Sequence, residues 1–403
     1  MTKNSPTVFL GMSGGVDSAV SAVLLKEQGY NIVGVYMKNW SRDLPGMRCP
    51  WAEDLADAKR VAVKLGIDFR VFDFEVEYKD KVVQYMLDEF KAGRTPNPDI
   101  MCNQEVKFKL FYETARAAGA DLIATGHYAR VDNHSHPARL LKAVDTNKDQ
   151  TYFLYRISEE ALVHTLFPVG AMLKPEVKAL AKQKELAVAH KKESMGVCFV
   201  GDVGIKEFLK EYLPETPGDI REIETDRILG THEGAVFYTI GQRHGLNIGG
   251  GLPYYVVKKN INSNIVYVSK NLNHDDLWLT QLTLEDVIWR NNELTPPTPP
   301  ITSNSISTPT TTPNPTALNI EVRLRHRAPL IPAKIQLAQP SPSITPTQSS
   351  NTTPDTTFAP PSTTSTPIAA TITFEKPVKS PAPGQSVVFY REEECLGGGI
   401  VSS

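Results

Sequence analysis

The sequence is poor in cysteine, in net charge and in long apolar runs. Its four cysteines lie far apart among 403 residues and none forms a C-x-x-C pair, which argues against a disulfide framework. The net charge of −2 provides no general attraction to nucleic acid, so such binding would require a local basic patch. No apolar run could span a bilayer, and the amino terminus lacks the basic and apolar segments of a signal peptide. We therefore expect a cytoplasmic protein with no membrane partner.

The first third of the chain alternates short apolar runs with segments of helical period. "TVFLGM", "NIVGVYM", "DFRVFDF" and "DLIATGH" are typical of buried strands, and "SAVSAVLLKEQG" and "AEDLADAKRVAVKLG" are typical of the helices between them. Strand and helix in alternation predict a parallel sheet covered on both faces. We therefore predict an α/β, doubly wound domain over residues 1–204.

The remainder of the chain is predicted to be rich in β-structure. Glycine-punctuated pieces, "GAVFYTIGQRHGLNIGG", "PYYVVKKN" and "NIVYVSKN", predict a small β-rich central domain over residues 205–275. Strand-like alternation returns in residues 276–403 and predicts a β-barrel-like domain. Two Thr/Pro/Ser tracts, about 293–316 and 339–368, cannot bury enough apolar surface to offset their ordering entropy. We expect them to be disordered insertions.

A glycine-rich loop joins the first predicted strand to the first predicted helix, in "VFLGMSGGVDSAV". It lacks the lysine of a Walker A loop, and its glycines at 11, 14 and 15 do not match G-x-G-x-x-G. In the remaining pattern, S-G-G-V-D-S, Gly14 and Gly15 allow the backbone to approach an anion closely, and Ser13 and Ser18 add hydroxyl donors. Because a helix amino terminus attracts anions, the pattern predicts a phosphate site.

A second segment, "AGRTPNPDIMCNQEVKF", combines rigid backbone with reactive groups. Two prolines restrain the backbone around Asn97 and Asp99, and Cys102 follows just before a helix that we expect to begin near residue 103 or 104. A cysteine at a helix amino terminus has a stabilised thiolate, so Cys102 is a candidate nucleophile. The alternative is a buried cysteine with a structural role only.

A third cysteine segment and an arginine-rich segment complete the candidates. Cys198 follows two lysines in "KKESMGVCFVGD"; taken alone, it is equally consistent with a reactive thiolate and with a small core residue. If "EVRLRHR" is a strand, Arg323, Arg325 and Arg327 share one face and form a local basic patch. The alternative for that patch is the solvated face of an edge strand.

Several of these motifs resemble known families. "SGGVDS" resembles the PP-loop ATP pyrophosphatases, whose fold is adenine nucleotide α-hydrolase-like. With "YMKNW", "ATGHYAR", "NKDQTYFLY", "LFPVG", "TIGQRHGLNIGG" and "CLGGGI", the chain more closely resembles the bacterial tRNA-specific 2-thiouridylase family, from the first strand to the last residues. The resemblance implies ATP as cofactor, Mg²⁺ with it, and adenylation of C2 of the wobble uridine followed by sulfur transfer from a cysteine persulfide. It also implies tRNAs for lysine, glutamate and glutamine as partners, with an upstream persulfide donor such as a cysteine desulfurase or sulfur-relay protein.

The resemblance also implies residue roles at matched positions. ATP would be bound by Gly11, Met12, Ser13, Gly14, Gly15, Val16, Asp17, Ser18, Met37 and Gly126. tRNA would be contacted by Asn97, Pro98, Asp99, His127, Lys148, Asp149, Gln150, Arg325, His326 and Gln385. Cys102 would be the nucleophile, Cys198 the persulfide carrier and Asp99 a proton-handling group. His127 is equally consistent with a satisfied core histidine. The sequence shows no metal-ligand cluster.

Two other functions compete with this interpretation. Another PP-loop amidating or ligating enzyme would need an ammonia or amine site and would have no use for two reactive cysteines. A non-catalytic, ATP-dependent RNA-binding protein would bind both ligands but release neither AMP nor pyrophosphate.

Overall fold

The structure is a computed structural model that describes residues 5–44, 49–135, 137–192, 204–249, 251–290, 317–337 and 368–402. The strands are β1 (Thr7–Gly11), β2 (Asn31–Lys38), β3 (Asp68–Asp73), β4 (Leu122–Thr125), β5 (Arg130–Asp132), β6 (Arg139–Leu141), β7 (Thr165–Leu166), β8 (Gly218–Glu222), β9 (Ile228–His232), β10 (Tyr255–Asn260), β11 (Ile265–Ser269), β12 (Trp278–Trp289), β13 (Leu318–Arg323), β14 (Ile331–Leu337), β15 (Ile368–Lys379), β16 (Ser386–Arg391) and β17 (Glu394–Val401). The α-helices are α1 (Val16–Glu27), α2 (Trp51–Leu65), α3 (Glu75–Tyr78), α4 (Gln84–Lys91), α5 (Pro98–Met101), α6 (Phe111–Ala117), α7 (Thr151–Leu154), α8 (Glu159–Val163), α9 (Lys174–Gln183) and α10 (Ile205–Lys210).

Two of the helices continue through π-helical stretches. Lys79–Val83 joins α3 to α4, and Cys102–Leu110 joins α5 to α6, so residues 75–91 and 98–117 each form one continuous helix. The second of these helices carries Cys102.

The first domain is built on a parallel sheet in the order β3-β2-β1-β4-β7. The central strand, β1, is buried on both sides, and its side chains alternate between two cores. Val8 and Leu10 pack with α1, α2 and α9. Phe9 packs on the other face with the helices at 75–91 and 98–117. Each such burial contributes roughly 2 kcal/mol, and the two cores confirm the predicted doubly wound α/β fold.

The central domain is a four-stranded sheet in the order β10-β11-β8-β9. "PYYVVKKN" and "NIVYVSKN" form β10 and β11 as predicted. The extended structure expected for "GAVFYTIGQRHGLNIGG" is wrong, because this segment forms a 3-10 turn over Ala235–Phe237 followed by loop. The positive φ angles of Gly241 and Gly245, 82° and 77°, turn the chain where a strand would have to continue.

The carboxyl-terminal domain is a closed six-stranded barrel. Its strands follow the order β12-β15-β14-β13-β16-β17, and pairing of β12 with β17 closes the ring around an apolar core. The hairpin β5–β6, from the first part of the chain, extends the sheet by pairing with β17. A β-barrel-like third domain is thereby confirmed.

Some predictions lie outside the described residues. The first predicted Thr/Pro insertion lies outside them, and so does the second except for its last residue, 368, where β15 begins. The domain boundaries proposed at 204/205 and 275/276 stay predictions. Within the described parts of the chain, no helix has the length and apolar character needed to cross a bilayer.

Candidate functional site: a nucleotide loop beside a cysteine-bearing helix

The glycine-rich loop lies where predicted, between the carboxyl end of β1 and the start of α1. Met12 N–H donates to the Val35 carbonyl at 2.7 Å, which ties the loop to the neighbouring strand. Ser18 Oγ donates to the Gly15 carbonyl at 3.2 Å, and the Gly15 N–H donates to Ser13 Oγ at 3.4 Å. Gly15 caps α1 without a side-chain hydrogen bond, so the first turn presents N–H donors and positive dipole charge to this edge of the sheet.

The residues expected to surround ATP meet at this loop. Gly14 has a φ of 74°, which favours glycine. A Cβ on Gly126 would lie 2.7 Å from the Ser18 nitrogen, so the loop after β4 passes directly against the start of α1. A Cβ on Gly11 would lie 2.8 Å from Met37 Cε, which places Met37 beside the loop. The contact at Gly126 is with backbone atoms, so only glycine permits it, whereas the flexible end of Met37 could move away from a Cβ on Gly11.

The carboxylate of Asp17, in the first turn of α1, contacts two residues that the sequence interpretation missed. Lys174 Nζ lies 2.6 and 2.8 Å from its two oxygens, and the Tyr128 hydroxyl donates to it at 2.8 Å. Lys174 is 6% exposed and begins α9. Because this ion pair cancels the acid beside the loop, the positive end of α1 remains available to an anion. The pair is separated by 157 residues, and no local pattern indicates it.

The helix that carries Cys102 begins earlier than predicted. It starts at Pro98, with Asn97 as its cap: Asn97 Oδ1 accepts hydrogen bonds from the N–H groups of Asp99 and Ile100 at 3.2 and 3.4 Å. The expected start near residue 103 or 104 is therefore wrong. Cys102 is buried and lies more than one turn inside the helix, whereas Asp99 lies in the first turn.

The charge of one lysine, Lys107, influences the pKa values of both Asp99 and His127. Burial raises the pKa of the Asp99 carboxyl, and the nearby charge of Lys107 partly opposes that rise. Burial lowers the pKa of His127 well below its usual value, and Lys107 lowers it further. His127 Nδ1 lies 2.8 Å from Thr125 Oγ1, and its ring packs 5.7 Å from that of Phe108. His127 is therefore neutral near pH 7 and links the loop after β4 to the cysteine-bearing helix.

The turn at 148–150 is fastened to the barrel by a buried ion pair. Asp149, 2% exposed, accepts hydrogen bonds from Arg323 Nη1 at 2.8 Å and from Thr151 Oγ1 at 2.9 Å. Gln150 Oε1 accepts from the Tyr128 N–H at 2.8 Å. Both side chains that were expected to contact tRNA thus hold the turn in place, and Asp149 is buried.

The predicted stripe of three arginines on one strand face is wrong. β13 ends at Arg323, whose guanidinium is buried against Asp149, and the chain then turns through residues 324–327. Arg325 and Arg327 are exposed in that turn, and Arg327 has a φ of 62°. Because Arg323 is paired inside the protein and the chain turns after it, only Arg325 and Arg327 remain accessible.

We call the surface formed by Lys148, Arg325, His326 and Arg327 the basic turn. The His326 ring packs 4.5 Å from that of Phe153. Burial lowers the pKa of His326 to about 4, and the charges of Arg327, Arg323 and Lys148 contribute to that shift. The structure therefore brings together expected tRNA contacts from residues 148 and 325–326, which are far apart in the sequence.

Gln385 lies elsewhere. Its Nε2 donates to the Thr95 carbonyl at 2.7 Å, so this side chain contacts the segment that leads to Asn97. Cys198 lies outside the described residues, and its role stays a prediction. Cys49 and Cys395 are buried free thiols, and burial raises the pKa of Cys395 to about 12. Among the described residues, no group of three or more His, Cys, Asp or Glu could hold a metal ion.

The parallel sheet with its SGGVDS loop between β1 and α1 defines the class: an α/β nucleotide-binding protein of the PP-loop type. Three family models match the chain in the same order as its sheets: the tRNA methyl transferase HUP domain over residues 6–202, the tRNA methyl transferase PRC-barrel domain over 206–270 and the aminomethyltransferase beta-barrel domain over 362–401.

Full-length relatives show to which family within this class the chain belongs. The tRNA-specific 2-thiouridylase MnmA of Listeria monocytogenes serotype 4a (strain HCC23) is 42% identical over 100% of this chain and 96% of its own length. The protein of the same name from Bacillus subtilis (strain 168) is 40% identical over 98% of this chain and 94% of its own length. The protein of the same name from Enterococcus faecalis (strain ATCC 700802 / V583) is 40% identical over 100% of this chain and 96% of its own length. The chain belongs to the tRNA-specific 2-thiouridylase family, whose members are tRNA sulfurtransferases.

Proposed function

We propose that this protein is an ATP-dependent tRNA 2-thiouridylase that converts the wobble uridine, position 34, to 2-thiouridine with release of AMP and pyrophosphate. One observation carries the proposal: in a chain of this family, the start of α1 and the helix of Asp99 and Cys102 are joined through the loop after β4. Gly126 lies against Ser18, and the next residue, His127, packs on Phe108 of the cysteine-bearing helix.

The loop residues would bind the phosphates of ATP. N–H groups in the first turn of α1 would donate to phosphate oxygens. Gly14 and Gly126 shape the loop, because they allow it to pack against the backbone of Asp54 and of Ser18. The positive charge of Lys174 balances the negative charge of the Asp17 carboxylate, which reduces repulsion between this acid and the triphosphate. Mg²⁺ bound with ATP would supply further positive charge.

Asp99 would move the proton of the target base. As the C2 oxygen of uridine attacks the α-phosphate, pyrophosphate leaves and N3 must lose its proton. A carboxylate with a raised pKa is better matched to accept that proton near neutral pH and to return it later. Asn97 fixes the backbone of Asp99, so the acid is held in the first turn of its helix. The base must leave the anticodon stack to reach this site.

Cys198 and Cys102 would deliver the sulfur. In one route, the terminal sulfur of a Cys198 persulfide attacks C2 and AMP leaves with the former C2 oxygen; the Cys102 thiolate then attacks Cys198 Sγ, which frees 2-thiouridine. In the other route, Cys102 attacks Cys198 Sγ first and the released sulfide attacks C2. Both routes form a Cys102–Cys198 disulfide, which a dithiol reductant returns to two thiols with two electrons. A persulfide donor reloads Cys198.

The basic turn would contact tRNA phosphates, because Arg325 and Arg327 are exposed. The charge of Lys148 belongs to the same surface, since Lys148 and Arg327 both act on His326. We propose the tRNAs for lysine, glutamate and glutamine as substrates. The compartment of the protein stays a prediction.

Mass spectrometry of nucleosides tests the function. tRNA is incubated with the protein, ATP, Mg²⁺ and a persulfide donor, beside a sample without ATP. We expect ATP-dependent 2-thiouridine at position 34, loss of product in Cys102→Ser and Cys198→Ser, and product retained in Cys395→Ser, a matched change at a buried cysteine in β17 of the barrel. AMP formation without 2-thiouridine would favour another PP-loop ligase. Binding of ATP and tRNA without AMP would favour the non-catalytic alternative.

A further inference from the structure

Asn103 is a buried amide in the cysteine-bearing helix. It follows Cys102 directly, lies one turn beyond Asp99 and is 3% exposed. Its Nδ2 donates to the Phe153 carbonyl at 3.1 Å, across 50 residues of sequence. Because a carbonyl oxygen only accepts hydrogen bonds, this contact fixes which amide atom faces Phe153. The side chain therefore ties the reactive helix to α7.

The oxygen of the same amide indicates that this contact serves more than stability. In the part of the chain that the structure describes, Asn103 Oδ1 is buried and has no hydrogen-bond partner. A buried acceptor without a partner costs at least as much free energy as one neutral hydrogen bond contributes. The net contribution of this amide to folding is therefore small. What the amide supplies is a fixed distance and direction between the reactive helix and α7.

Phe153 in turn packs on the basic turn. Its ring centroid lies 4.5 Å from that of His326, and the Tyr152 ring lies 6.2 Å from the same imidazole. The Phe153 N–H donates to the Gln150 carbonyl at 2.9 Å, which joins α7 to the turn that includes Lys148. A continuous series of contacts therefore runs from the basic turn through α7 to the reactive helix.

We propose that Asn103 is a positioning residue that sets the spacing between the basic turn and the reactive groups of the cysteine-bearing helix. The proposal rests on the proposed function, in which the basic turn holds the tRNA backbone. A backbone held there determines where the flipped base lies, and Asp99 and Cys102 must lie within reach of that base. The contacts from His326 through Phe153 to Asn103 keep the two at one spacing. Direct contact between Asn103 and the base is the competing outcome.

Hydrogen exchange tests the link to α7 without any catalysis. In the full-length protein without ligands, Asn103→Leu removes the donor at similar size, and Asn103→Ala removes it without added bulk. We expect either change to raise exchange in the peptide covering residues 150–157 about three- to tenfold, the change expected for loss of one net hydrogen bond. Unchanged exchange in both variants would overturn the link.

Asn133 provides a matched control. Its Nδ2 donates to the Val163 carbonyl at 3.2 Å, and its buried Oδ1 has no partner among the residues that the structure describes. Asn133→Leu therefore removes the same kind of hydrogen bond away from α7. This variant should leave exchange in the peptide covering residues 150–157 unchanged, and an equal rise there would also overturn the link.

Kinetics then separates positioning from binding. At saturating tRNA, Asn103→Leu and Asn103→Ala should lower the single-turnover rate of thiolation about ten- to hundredfold while the Kd for tRNA stays within twofold of wild type. Asn133→Leu should preserve both quantities. Phe153→Leu, which removes the ring contact with His326, should lower the same rate, and adding it to Asn103→Leu should cause little further loss. These results would support the positioning role.

Three results would overturn the positioning role: a saturated rate within twofold of wild type in both Asn103 variants, a weakened Kd with that rate preserved, which would indicate direct contact with tRNA, or additive effects of the Asn103 and Phe153 changes. A wild-type protein that makes no 2-thiouridine would refute the proposed function instead, and the exchange experiment would still judge the link between the reactive helix and α7.

Discussion

We predict that the ion pair between Asp149 and Arg323 stabilises the structure and does not bind tRNA. Their side chains are 1% and 10% exposed, and Arg323 Nη1 lies 2.8 Å from Asp149 Oδ2. Two unit charges about 4 Å apart interact by about 4 kcal/mol at an effective dielectric constant of about 20. Removing one member of a buried pair costs about 3–5 kcal/mol, because the other charge is left buried without its partner. Arg323→Met should therefore destabilise the barrel by about that amount.

Native-state hydrogen exchange at the amides of β13 measures this loss locally. We expect Arg323→Met to lower the opening free energy there by about 3–5 kcal/mol, and the double variant with Asp149→Asn to recover part of the loss because no charge is then left unpaired. Below the unfolding transition, Arg323→Met should keep the salt dependence of tRNA binding. Arg325→Met should reduce that dependence by about one unit of slope without loss of stability. The opposite pattern for these two arginines would refute the reasoning.

Two further changes test the nucleotide loop and the central domain. Gly14→Ala would need a φ of 74° and would clash with the Asp54 carbonyl, so it should abolish tRNA-dependent AMP formation. Gly29→Ala is the control, because Gly29 has a φ of 83° but open space around it, and this variant should still form AMP. Equal losses of AMP formation in the two variants would contradict the prediction. Burial lowers the pKa of Lys259 to about 8 from an ordinary 10.5. Above pH 8 the unfolded chain therefore binds more protons than the folded one, and wild-type stability gains up to about 3 kcal/mol by pH 10.5 relative to Lys259→Met. Urea midpoints that shift in parallel for both proteins would contradict it.

Local patterns in the sequence were sufficient to predict the nucleotide loop. A continuous apolar run, two adjacent glycines and a helix-period segment define β1, the turn and α1 within about twenty residues. The start of the cysteine-bearing helix was also encoded locally. Asn97 before Pro98 is a strong N-cap and N1 signal, but the proline pair was interpreted only as a restraint on the loop.

Long-range pairings could not be predicted in this way. Asp149 and Arg323 are 174 residues apart, and an arginine that alternates with apolar residues has the same pattern whether it is paired inside or solvated outside. The hairpin β5–β6 has strands of three residues, too short for a periodicity signal, and is ordered by pairing with β17. Such contacts are decided by tertiary packing.

The central claim is that the loop presents the α-phosphate of ATP to the C2 oxygen of the wobble uridine. The most direct measurement uses tRNA that carries oxygen-18 at C2 of that uridine and follows the label by mass spectrometry of the AMP released during thiolation. The account predicts one labelled oxygen in the phosphate of AMP for each 2-thiouridine formed. AMP without the label, formed in step with 2-thiouridine, would contradict activation of the base by adenylation.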